Sequence, residues 1–171
     1  ERVRLYYELT LLSAQELGYT LLGVNTTRPP FDDPLVRRAL NLSIDRDGLI
    51  YIIHEGRDNR RDHPTIFVFD GDGKYVRSFG NQFAGGAHGM DLREEDGEEF
   101  LYVTSYRPKM FAKLSLKGEE VWRRHAPMES GKYAPGEDVD NHVYGKRDNF
   151  MPTNICFLPG GDFLVADGYG A

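Results

Sequence analysis

Three stretches of this chain follow one plan: an apolar strand, an acidic or glycine-containing turn, then a second apolar strand. Residues 42–53 turn at Asp45-Arg46-Asp47-Gly48, residues 90–104 at Glu94-Glu95-Asp96-Gly97, and residues 155–166 at Pro159-Gly160-Gly161-Asp162. Such turns favour Asp-Gly and Gly-Asp because glycine takes positive φ without a steric penalty. A second hairpin follows each of the first two copies. Residues 65–69 lead through Asp70-Gly71-Asp72-Gly73 into 75–79, and residues 111–116 lead through Lys117-Gly118 into 120–123. One unit therefore holds four strands. Gly73 and Gly118 lie 45 residues apart and Gly48 and Gly97 lie 49 apart, close to the ~40–50 of a four-stranded repeat. The third copy comes late because residues 126–149 intervene. They are rich in Gly, Pro, Asp and Lys, lack periodicity, and read as a long loop.

The fold expected from this repeat is all-β: β-propeller blades of four antiparallel strands, incomplete at about two and a half blades. The blades fall over residues 40–80, 87–125 and 150–171, behind a non-repeating segment over 1–39. An antiparallel sandwich also uses closely spaced hairpins. The recurrence of a four-strand unit in one order argues for blades. Radial closure with about four to eight blades is how such sheets avoid open edges. The chain is therefore expected to be a fragment of a larger ring, or to self-associate through its open blade edges. In the leading segment, Asp33 as cap and Pro34 at the first position start a short helix near 33–40. Leu35, Val36, Ala39 and Leu40 would form its apolar face. Residues 5–12 are apolar enough for a strand or a short helix.

Composition narrows the partners. At 40% hydrophobic and 12% aromatic, the 171 residues can bury a core. The formal charge of -6 disfavours nucleic acid and anionic membranes. No apolar run approaches the ~20 residues that span a bilayer. Cys156 is the sole cysteine, which excludes an internal disulfide. Phosphate loops, paired-cysteine zinc motifs and nucleophile elbows are absent. Asp70-Gly71-Asp72-Gly73 reads as a plain turn, since no glutamate closes it as a calcium loop. Residues 57–63 read as a solvated polar loop. His125 and His142 have no partner at ligand spacing. Asn25-Thr26-Thr27 and Asn41-Leu42-Ser43 match a glycosylation sequon that often occurs by chance.

Two resemblances appear on particular residues. Gly23-Val24-Asn25-Thr26-Thr27-Arg28-Pro29-Pro30-Phe31-Asp32-Asp33-Pro34, followed by Val36-Arg37-Arg38-Ala39-Leu40-Asn41-Leu42 and Ile44-Asp45-Arg46, resembles extracytoplasmic peptide-binding proteins of transport systems. That similarity lies within residues 17–50 and implies an extracytoplasmic location. Residues 40–171 resemble six-bladed propellers of the NHL-repeat type, nearest to the peptidyl-α-hydroxyglycine α-amidating lyases. The carrying residues are Val68-Phe69-Asp70 with Gly73, Gly86-Ala87-His88-Gly89-Met90, Pro152-Thr153-Asn154-Ile155, and Ala166-Asp167-Gly168-Tyr169. Two unlike resemblances in one chain are also what a chimera would show.

The lyase resemblance implies zinc and calcium as cofactors, His88 as a zinc ligand and Tyr169 as an acid/base catalyst. His88 could equally hydrogen-bond within its turn, and Tyr169 could pack at a blade end. In His54-Glu55-Gly56-Arg57, Glu55 stands where those lyases carry a functional arginine. That departure favours binding over catalysis. The resulting expectation is an NHL-type propeller that binds a small molecule, a peptide or a protein, with His54, Glu55, Arg57 and Asp167 as ligand contacts. The alternative is a metal-dependent amidating-lyase-like enzyme.

Overall fold

A strand that places apolar residues on both of its faces must be covered on both. Residues 98–115 carry that pattern, and they form the middle of the molecule's main unit. A computed structural model describes residues 10–14, 19–23, 41–56, 62–140 and 149–169. The chain divides into two compact units, Glu1–Leu40 and Asn41–Ala171. In the first, β1 (Thr10–Ala14) and β2 (Tyr19–Gly23) pair antiparallel, from Thr10 opposite Gly23 to Ala14 opposite Tyr19. The helix expected near 33–40 lies outside the described residues.

The second unit opens with β3 (Asn41–Ile44), β4 (Ile50–Ile53), β5 (Ile66–Phe69) and β6 (Tyr75–Phe79), an up-and-down antiparallel sheet in chain order. A second four-stranded sheet follows in the same order: β7 (Ala87–Glu95), β8 (Glu98–Ser105), β9 (Met110–Ser115) and β10 (Glu120–Arg124). A hairpin of β11 (Pro152–Phe157) and β12 (Phe163–Asp167) completes the described strands. The all-β expectation holds. Among the described residues the helical pieces are two 3-10 turns, Asn81–Phe83 and Met128–Ser130.

The turns form for local reasons. Asp96 and Gly97 both take positive φ, 52° and 86°, between the paired Glu95 and Glu98. A two-residue turn with positive φ at both positions matches the right-handed twist of the strands it joins. At the β5–β6 turn, Asp70 Oδ1 accepts the backbone N–H groups of Asp72 and Lys74 at 3.1 and 2.8 Å. The carboxylate there closes the turn, as a plain turn requires.

Period-2 alternation then splits the apolar residues of the second sheet between two cores. Leu101 and Val103 of β8, Met110, Ala112 and Leu114 of β9, and Ala87 and Met90 of β7 pack against Tyr51, Ile53, Ile66 and Val68 of the first sheet. The intervening residues, Tyr102 and Phe111, turn to the opposite face. There they meet Ile155, Phe157, Phe163 and Val165 of the last hairpin, with Ala126, Tyr133 and Phe150 from the segments flanking it. Rings dominate this second core. Trp122 stacks on Phe163, and Tyr102 meets Phe157 edge-on at 4.8 Å between centroids. Lys113 sits on this face as well, with Nζ 3.7 Å above the Phe100 ring and 2.8 Å from Glu95. Each large aliphatic buried this way contributes about 1.5–3 kcal/mol of transfer free energy.

The long loop after β10 is tied down by a buried ion pair. Lys109 is fully buried, Glu137 is 2% exposed, and both carboxylate oxygens of Glu137 accept hydrogen bonds. One accepts from Lys109 Nζ and Asn149 Nδ2; the other accepts the Phe150 backbone N–H. Removing one member of such a pair strands a buried charge. Glu137→Ala should therefore lower unfolding stability by about 3–5 kcal/mol in urea denaturation, and the Lys109→Met/Glu137→Leu pair should recover only part of it, because Asn149 and the Phe150 N–H still lose their acceptor. A loss below about 1 kcal/mol for the single variant would show that the pair does not hold the loop.

Candidate functional site

The ends of β4, β8 and β12 and the starts of β7 and β11 meet at one rim of the second unit. Thr153, at the start of β11, organises them. Its carbonyl accepts from His88 Nδ1 at 2.9 Å, and its hydroxyl donates to the Ala166 carbonyl at 3.2 Å. Two glycines make this approach possible. A Cβ at Gly89 would stand 2.5 Å from Thr153 O, and one at Gly168 would stand 2.6 Å from Thr153 Oγ1. A side chain at Gly89 would collide with the backbone of β11, and one at Gly168 would displace the Thr153 side chain from its bond to Ala166. The glycines beside His88 and Tyr169 are thus packing requirements that deliver those two side chains to one place.

A carbonyl only accepts, so His88 Nδ1 carries the proton in the neutral ring. Its Nε2 faces the Tyr169 hydroxyl at 3.4 Å. Tyr106, just beyond β8, completes the cluster and donates its hydroxyl to Glu55 Oε1. The three rings stand nearly perpendicular to one another. Their centroids lie 6.0 Å apart for His88 and Tyr106, 5.8 Å for His88 and Tyr169, and 5.7 Å for the two tyrosines, with interplanar angles of 76°, 74° and 70°. His88 and Glu55 are exposed, and Tyr169 is 58% exposed.

Of the expected site residues, the structure brings His88, Tyr169 and Glu55 together. His54 plays a different part. Its Nδ1 accepts the Gly56 N–H at 3.0 Å, and its Nε2 donates to the Pro64 carbonyl at 3.1 Å. Both ring nitrogens serve the backbone, and the ring lies 5.4 Å from Phe67. Asp167 faces the preceding segment, where Oδ1 accepts the Met151 N–H at 3.0 Å. Burial and the nearby Asp167 push the Tyr133 hydroxyl up to about 12. Arg57 lies outside the described residues. Tyr106 and Thr153 are the members that sequence reasoning misses. A comparison of the positions after β4, β8 and β12, where Glu55, Tyr106 and Tyr169 fall, would have found the first.

No three His, Cys, Asp or Glu side chains converge as a metal site among the described residues. A catalytic zinc takes three protein ligands, and the Nδ1 bond of His88 to the Thr153 carbonyl is one that a ligating imidazole can also make. Among the described residues, His88 therefore stands without the two further ligands of those types that the zinc implied by the lyase resemblance would take.

With this geometry in place, comparison with known proteins gives a family match over residues 2–81, to bacterial extracellular solute-binding proteins, family 5 middle. The chain is also 32% identical over 68 residues to the glutathione-binding protein GsiB of Pectobacterium atrosepticum. That alignment covers 40% of this chain and 13% of the relative, so the chain spans a small part of that protein's length. These findings support the resemblance seen near residues 17–50 and the extracytoplasmic placement it implies.

The same findings correct the functional reading of residues 40–171. The matching family is one of solute-binding proteins, and its match takes in the whole first sheet through Gly80. The expectation of an NHL-type, six-bladed propeller, whether as a binding module or as an amidating lyase, does not hold. The physical reason lies in the signal used. Asp-Gly turns at this spacing are produced by any run of up-and-down four-stranded antiparallel sheets. The spacing reports the sheets, not a ring or its chemistry.

Burial lowers the His54 pKa, reinforced by the nearby His63 and opposed by the Pro64 carbonyl. A depressed imidazole pKa gives stability that is complete above the ordinary 6.5 and is lost as pH falls through the lowered value. Imidazole resonances followed by NMR should place the His54 midpoint below 6.5. A midpoint at or above 6.5 would contradict the buried, neutral ring.

Proposed function

We propose that this chain is part of an extracytoplasmic solute-binding protein, and that the rim cluster of His88, Tyr106, Tyr169 and Glu55 contacts a peptide or another small polar solute. The family match over residues 2–81 carries this reading. The relative named for glutathione binding favours a short peptide as the solute. The rim agrees in its chemistry. It offers hydroxyls, an imidazole nitrogen and a carboxylate beside flat apolar ring faces, the mixture that orients a small ligand. Glu55 lies inside the matched stretch, and the other three follow it. No helix of the described residues is long and apolar enough to cross a membrane.

Isothermal titration of the chain with reduced glutathione and with trialanine should show saturable binding of at least one, at about 1–100 μM. A hundredfold excess over Kd should raise unfolding stability by about 2–3 kcal/mol. Tyr169→Ala should weaken that binding about fivefold or more without a matching loss of fold. If neither solute binds, the proposal fails. Binding left unchanged by Tyr169→Ala and His88→Ala together removes the rim from it.

A further inference from the structure

The rim rings meet edge to face as the core rings do, and differ from them in exposure. A packed cluster hides its rings, as Tyr102, Phe111 and Phe150 do in the second core. At the rim two of the three rings are open to solvent and Tyr106 is half-buried. Tyr169 remains 58% exposed and His88 is exposed, although both are anchored. The anchors set ring direction. Thr153 fixes His88, His88 Nε2 faces the Tyr169 hydroxyl, and Glu55 holds the Tyr106 hydroxyl. Backbone bonds fix the bases of these residues as well. The Tyr106 N–H donates to Gly86 O at 2.9 Å, and the Gly85 N–H donates to the Glu55 carbonyl at 2.9 Å.

Three rings at 70–76° to one another form the corner of a box. The face of an aromatic ring carries negative quadrupolar density, and a cation within ~6 Å of its centroid is attracted to it. A carboxylate stands on the same corner, supplied by Glu55. The chain is acidic as a whole, at -6, which draws cations towards its surface.

We infer that this corner, formed by His88, Tyr106 and Tyr169 with Glu55 at its edge, recognises an ammonium group on the solute. The inference rests on the reading of the rim as the solute-contacting surface and adds the class of group it takes. A soft, alkylated ammonium presents its charge to several ring faces at once while Glu55 balances it. A neutral group of the same shape gains the contact area without the charge.

Choline and its neutral isostere 3,3-dimethylbutan-1-ol have nearly the same shape and differ in charge, which makes them suitable probes. Titrations of the full chain, followed through tyrosine ring resonances, should show choline binding about tenfold tighter than the alcohol. Tyr169→Phe keeps the ring face and should keep that preference within about twofold, whereas Tyr169→Leu should abolish most of it. Glu55→Gln retains an acceptor for Tyr106 and removes the charge, and it should reduce choline affinity about fivefold while leaving the alcohol unchanged. Equal affinities for the two probes, or no response of the Tyr106 and Tyr169 rings to choline, overturn the inference. If glutathione or trialanine still binds in that case, solute binding stands and the ammonium assignment alone falls.

Discussion

The second sheet of the larger unit is covered on both faces, and its neighbours take their places from it. Leu101, Val103, Met110, Ala112 and Leu114 are each fully buried on the side of the first sheet. Tyr102 and Phe111 are buried on the other side, against the last hairpin and the segments beside it. One residue of slip along β8 would exchange the two sets and ruin both cores at once. Register is therefore fixed in β7–β9, and the first sheet and the β11–β12 hairpin dock onto a surface whose pattern cannot shift.

The rim cluster follows from that fixed register. Gly89 lets the backbones of β7 and β11 approach closer than any side chain would permit, and Gly168 leaves room for the Thr153 side chain beside the end of β12. His88 and Tyr169 then face each other because the strands bearing them do. Tyr106 arrives from the end of β8 and Glu55 from the end of β4. His54 and Asp167 work behind the cluster, one on the chain between Gly56 and Pro64, the other on Met151. The long loop is a third dependent part. Its position comes from Glu137, whose buried carboxylate ties Lys109 of the β8–β9 turn to Asn149 and Phe150 ahead of β11.

Hairpins were the legible part of the fold, because alternation and Asp-Gly turns are local signals. Both four-stranded sheets and the closing hairpin can be read from them. The Lys109–Glu137 pair could not be. It joins a turn residue to a residue in an aperiodic stretch, and nothing local marks either as buried. In the site, His88 and Tyr169 were legible from their neighbouring glycines, although the glycines report close packing and not catalysis. Tyr106 carries no such mark. The role of His54 was hidden because both its partners are backbone groups, Gly56 N–H and Pro64 C=O, which composition does not display. Repeat spacing specifies four-stranded sheets and not a ring, so it carries no function of its own. The stretch before β3, read by residue identity, pointed towards the solute-binding family that matches residues 2–81.

Amide hydrogen exchange on the free chain tests the organising role of the doubly covered sheet most directly. Amides of β8 and β9, between two cores, should exchange most slowly and open only with global unfolding. Those of β6 and of β12, where Leu164 is 58% exposed, should exchange sooner. Exchange in β8 and β9 as fast as in β12 would contradict the account, because the register that sets the rim would then have no rigid sheet behind it.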